Sequence, residues 1–148
     1  MQTELLAKLI ARKHEVLTHL RSLGLRQAEL VGGDDWSQLT KVLSTKQRLL
    51  DLLTQTEHEL APFRGERPEL RVWGSDAARD TCRQQADACA VLLAEVLQLE
   101  RDGERAMITR RDEAARQLAG MHNAGSARSA YVVEQKPTSF GLDLVSEG

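Results

Sequence analysis

The sequence predicts an all-α protein: an antiparallel three-helix bundle or coiled coil with a long third helix and a flexible C-terminal tail. Three observations predict it. Leu and Ala together number 40 of the 148 residues, whereas Ile and Val number 11. Straight-chain and small side chains lose little rotamer freedom in a helix, so this ratio favours helix over sheet. Five aromatic residues cannot fill a broad globular core, and three prolines do not break the chain into many short pieces. Apolar residues also recur at helical spacing over long stretches, with one sharp Gly-Gly-Asp-Asp interruption.

The first helix is expected from about Thr3 to Val31. Leu9, Val16, Leu23 and Leu30 recur every seven residues. Leu6 and Leu20 supply the other seam position, which Lys13 and Gln27 interrupt, while Ile10 and Leu17 widen the stripe. This is the a/d pattern of packed helices. Gly24 weakens a helix by about 1 kcal/mol relative to Ala and marks a local weak point.

Gly32-Gly33-Asp34-Asp35 ends that helix and starts the next. Glycine suits the residue after a helix C-terminus, and Asp35 with Gln38 has the spacing of a capping box. So short a connection implies two antiparallel helices in contact. The second helix, about Trp36 to Leu60, carries the stripe Leu39, Val42, Leu43, Lys46, Leu49, Leu50, Leu53 and Leu60. Pro62, Gly65, Pro68 and Gly74 then spread across a long connection, Ala61 to Gly74. Its Leu70, Val72 and Trp73 are expected to pack on the end of the hairpin.

Ser75, as N-cap, opens a third helix that is expected to last to about Gly120. Cys82, Cys89 and Val96 form one track, broken by Gly103, where a bend or a change of partner is expected. Ala86, Leu93, Met107 and Ala114 form another. The first hairpin is too short to cover all of this helix. Residues 1–122 are therefore expected to form the helical domain, and residues 123–148, rich in Gly and Ser, a flexible tail.

Composition excludes several classes of function. Residues 1–62 carry eight basic and eight acidic residues, and residues 63–125 carry ten and eleven. Without a basic block the footprint of a nucleic-acid binder is absent, as is a polybasic patch for a membrane surface. No apolar run reaches the length of a membrane span, and the N-terminus does not read as a signal peptide, so a cytoplasmic location is expected. Cys82 and Cys89 are too far apart on one helix, about 10.5 Å, to form a disulfide, and read as reduced core residues. His14 and His19 are five apart, not the four of a helical ligand pair, and no Glu-x-x-His, Walker loop or zinc spacing occurs. Neither a metal, a cofactor nor an enzymatic activity is expected.

From Val31 to Leu53, the residues Gly33-Asp34, Leu39, Val42-Leu43, Lys46-Gln47 and Leu49-Leu50 resemble the middle of FlgN-type flagellar export chaperones. The first helix, Leu5 to Leu30, is similar too, as is a long last helix carrying Arg110-Arg111 and Leu118 and followed by Tyr131. The resemblance covers about residues 4–131. It implies an ATP-independent cytoplasmic chaperone of type III secretion. Such a protein captures an amphipathic segment near the C-terminus of hook–filament junction proteins and keeps these clients unassembled before export. The export apparatus is a further implied partner. The family's client-binding region, carried over by position, falls on Met107, Ile108, Ala114, Leu118 and Met121, with Tyr131 beyond them. Methionine suits a surface that accepts a partner helix, since its side chain is flexible and polarisable. The alternative expectation is a structural coiled-coil adaptor that forms a homodimer through the same stripe of the third helix. The short alternation Phe140-Gly141-Leu142-Asp143-Leu144 is left as a docking motif or a plain tail.

Overall fold

The computed structural model describes residues 2–135, and the side chains of residues 2–129. Helix α1 spans Gln2–Val31, α2 spans Trp36–Arg64 and α3 spans Asp76–Gln135, with one turn of 3-10 helix at Pro68–Leu70 between α2 and α3. No strand occurs among the described residues. The chain is all-α, as its composition predicts. It divides after Met107 into two units, Met1–Met107 and Ile108–Gly148.

The first unit is an up-down-up bundle. Cross-helix pairs fix the directions. Arg12 bonds Glu59, Lys13 reaches Glu57 at 2.7 Å, and Gln27 meets Lys46, so α2 descends as α1 rises. Cys89 lies against the carbonyl of Ile10, Arg21 holds Glu95 at 2.5 Å, and Gly24 faces Leu99, so α3 rises alongside α1. The caps that the sequence predicts are formed. The Asp35 carboxylate accepts from the Gln38 amide at 3.0 Å, and the Ser75 hydroxyl accepts from the Ala78 amide at 3.1 Å. Each satisfies a helix-start N–H that has no partner within the helix.

The core is layered. Leu6, Leu9, Leu60, Phe63 and Cys82 form one buried cluster, with Ile10 and Trp73 packed on it. Val16, Leu17, Leu20, Cys89 and Val96 form a second, flanked by leucines of α2 and α3. Between the two sits Thr56, fully buried, whose hydroxyl accepts from Arg12 Nε at 2.8 Å and donates to the Leu52 carbonyl at 2.8 Å. Both bonding capacities of the hydroxyl are used, which makes a buried threonine tolerable in an apolar seam.

Several sequence expectations are corrected. Helix α2 runs through Pro62 to Arg64, because Phe63 joins the first cluster and its burial outweighs the helical hydrogen bond that the Pro62 ring removes. Leu70 and Val72 do not pack on the hairpin: they are 71% and 84% exposed, and of the three apolar residues only Trp73 turns inward. Helix α3 is continuous through Gly103, which does not break the seam, since the seven-residue track Cys82, Cys89, Val96 and Gly103 is buried throughout. Glycine serves close approach there, as a Cβ would lie 2.8 Å from Gln27 Nε2. Gly24 plays the same part rather than being a weak point. It is buried, and a Cβ would lie 3.2 Å from Leu99 Cβ. Neither glycine has a positive φ, so helix proximity accounts for both. On α1, Leu23 and Leu30 are only half-buried while Gly24, Gln27 and Val31 are buried. A straight helix drifts from a strict seven-residue repeat, which moves the contact line. Helix α3 passes Gly120 and continues to Gln135, so residues 123–135 of the expected tail are helical. Residues 136–148, with the Phe140–Leu144 alternation, lie outside the described residues.

Leu17 and Leu25 lie on the same helix with exposures of 0% and 44%. Leu17→Ala is expected to cost about 2–5 kcal/mol in urea denaturation, by lost burial plus a cavity. Leu25→Ala is expected to stay within about 1 kcal/mol.

Candidate functional site

The sequence places its candidate residues at and beyond Met107, and the structure separates them. Met107 belongs to the first unit. It is half-buried, and its sulfur accepts from Gln27 Nε2 at 3.6 Å. Ile108, Ala114, Leu118 and Met121 belong to the second unit and are all exposed, with Ile108 at 41%, Leu118 at 67% and Met121 at 69%. At 3.6 residues per turn, Met107, Ala114, Leu118 and Met121 fall on one face of α3, while Ile108 lies about 100° round from Met107. Tyr131 is in α3, and its side chain lies outside the described residues. From Ile108 to Ser129 every side chain but Arg110 is exposed, so this stretch carries an uncovered apolar face among the described residues. Arg111 and Asp112, 3.4 Å apart, belong to its charged surroundings.

Above Met107 the first unit holds a buried polar layer with one member from each helix. Lys46 is 5% exposed and Gln27 is 4% exposed. Lys46 Nζ donates to Gln27 Oε1 at 2.5 Å and pairs with Glu100 at 2.6 Å. Burying an ammonium is costly unless it is paired and hydrogen-bonded, and here both conditions hold. The two seam interruptions at Gln27 and Lys46 are thus one interaction. Nearer the other end, Glu57 receives Lys13 from α1 and Arg64 from its own helix. Burial raises the Glu57 pKa, but the hydrogen bonds and charges of Lys13 and Arg64 outweigh it and hold the carboxyl below the ordinary glutamate value.

Both thiols sit in the core, where burial pushes them above the ordinary cysteine value. A thiol held protonated in this way is a poor nucleophile. Among the described residues no group of three or more His, Cys, Asp or Glu side chains is placed to hold a metal ion. No described helix is long and apolar enough to cross a membrane.

A feature that sequence reasoning missed lies at the α2–α3 connection. Residues 68–73 form a strap across the end of the bundle, fastened by Thr3 Oγ1 donating to the Val72 carbonyl at 2.8 Å and by Arg71 Nη2 donating to the Phe63 carbonyl at 2.7 Å. Leu6, Arg71 and Trp73 line grooves on both of its sides, of about 730 and 460 Å³. The signal was present as apolar residues inside a Pro/Gly-rich connection, but their direction could not be read from spacing.

No family model matches the chain, and no curated protein or solved structure matches it either.

Because the folded Glu57 pKa is depressed, its contribution to stability is present above the ordinary glutamate value and is lost as pH falls through the folded value. Urea midpoints measured from pH 7 down to 3 are therefore expected to fall less steeply for Glu57→Gln than for the wild type. Parallel curves would show that the Lys13–Glu57–Arg64 cluster adds nothing in solution.

Proposed function

We propose that this chain is a helix-binding protein that acts as a type III export chaperone of the FlgN kind, in the cytoplasm and without enzymatic activity. The observation that carries the proposal is the uncovered apolar face of α3, with Leu118 and Met121 each about two-thirds exposed. Exposed apolar residues gathered on one helix face mark an interaction site more often than scattered ones do. The resemblance across residues 4–131 supports the client class: the amphipathic C-terminal segment of a hook–filament junction protein. On this reading the client lays its apolar face along Ala114, Leu118 and Met121, with Ile108 and Tyr131 at the margins. Burying that face keeps the client from assembling. Met107, shared with Gln27, anchors the start of the stripe rather than its centre.

A second reading rests on the seven-residue spacing of Met107, Ala114 and Met121, the repeat of a coiled-coil seam. On that reading two copies of the chain pair through the same stripe, and the protein is a structural adaptor.

Calorimetric titration with C-terminal fragments of hook–filament junction proteins tests the first reading. Saturable binding is expected, abolished by Leu118→Asp with far-UV circular dichroism and melting temperature nearly unchanged. A large fall in melting temperature would make Leu118 a packing residue and remove the site. A dimer by light scattering that Leu118→Asp dissociates, without fragment binding, would select the adaptor.

A further inference from the structure

The strap at residues 68–73 carries a second surface, independent of the stripe on α3. Leu70 and Val72 stand out from it with 71% and 84% of their surface exposed, although the same connection buries part of Trp73. The groove of about 460 Å³ between the strap and α3 has an apolar floor that includes Leu6, Ile10 and Cys82. Its rim is cationic: Arg71, Arg79 and Arg83 line it against a single acid, Glu69. Two of these arginines are already engaged. Arg71 bonds the Phe63 carbonyl and lies 3.5 Å from Glu66, and Arg79 lies 3.6 and 3.9 Å from Asp80 and Asp76. Arg83 is exposed and has no hydrogen-bond or ion-pair partner among the described residues. An apolar floor beside an uncommitted guanidinium suits one kind of ligand, and Leu70 and Val72 line the groove on the other side of the strap, within reach of the same extended segment. That ligand places a leucine or phenylalanine in the groove and an adjoining carboxylate on Arg83.

We propose that the strap and its grooves bind a short acidic–apolar peptide segment of a partner protein, with Arg83 as the charge-reading residue and Leu70 and Val72 as apolar contacts. The charge balance of the rim sets the sign of the preference. Arg71 and Arg79 are balanced by Glu66, Asp76 and Asp80, so the preference rests on Arg83: a basic–apolar segment would leave it unpaired, whereas an acidic one satisfies it.

The test is selection of a random peptide library displayed on phage against the immobilised full chain, followed by fluorescence-polarisation titration of the enriched peptides. Enriched sequences are expected to combine Leu or Phe with Asp or Glu. Their affinity is expected to fall about tenfold or more with Arg83→Glu, since reversing a paired charge adds repulsion to a lost contact. Val72→Asp should weaken them too. Both substitutions are at exposed positions, and unchanged circular dichroism would show that the fold is kept. Leu118→Asp is expected to bind the peptides as the wild type does, which separates this surface from the proposed client site. Enrichment of basic sequences, or equal binding by Arg83→Glu, would overturn the proposal. So would a concentration-dependent mass in sedimentation that Arg83→Glu abolishes, because the occupant would then be a second copy of the chain.

Discussion

One interaction ties the three helices of the first unit together: the ammonium of Lys46 held between Gln27 of α1 and Glu100 of α3. Every apolar contact in a leucine-rich bundle tolerates some sliding, because one leucine fills a gap much as another does. A buried ammonium does not. It needs its partners at hydrogen-bond distance, which narrows the rotations and axial offsets open to each helix. The close approach of Gly24 to Leu99 and of Gly103 to Gln27 follows from the same register, since both glycines lie within a few residues of the layer. Net stability gained from such a layer is small, because desolvation offsets much of the attraction. Its effect is to make other alignments expensive.

The rest of the first unit is consistent with that constraint. Apolar clusters alternate with polar layers: Leu6 to Cys82, then Thr56 with Arg12, then Val16 to Val96, then Gln27 with Lys46 and Glu100. Beyond Met107 the pattern stops. The described side chains of the second unit are exposed, apart from the half-buried Arg110, and Ile108, Leu118 and Met121 lie among them. Two surfaces carry exposed apolar residues, the α3 face around Leu118 and the strap around Leu70 and Val72, and their chemistries differ. The first is a plain apolar stripe suited to a helix. The second pairs an apolar floor with arginine.

Much of this was legible in the residues. The Leu/Ala excess and the spacing of Cys82, Cys89 and Val96 placed three helices and one buried track correctly, and Asp35 and Ser75 marked their starts. What could not be read was the meaning of exceptions. Gly24 and Gly103 look like defects in a helix until a neighbouring helix is known to pass close by. Gln27 and Lys46 interrupt two separate stripes, and only the pairing of α1 with α2 shows them to be one contact. Pro62 reads as a stop because local propensity has no knowledge of Phe63 in the core. For the candidate sites, the resemblance pointed to Ala114, Leu118 and Met121, which share one face of α3. It did not separate Met107, which is partly covered by Gln27, from the rest, nor reveal that Leu70 and Val72 point away from the bundle.

The central claim is that buried packing ends at the layer of Gln27, Lys46 and Glu100 and at Met107 just beyond it. Hydrogen–deuterium exchange followed by mass spectrometry tests it peptide by peptide, because local stability tracks buried contacts. The account predicts slow, cooperative exchange through α1, α2 and residues 76–107. It predicts exchange faster by orders of magnitude over residues 108–129, whose described side chains form no packed face. Equal protection on both sides of Met107 would contradict it, for the α3 face would then be covered in the free protein.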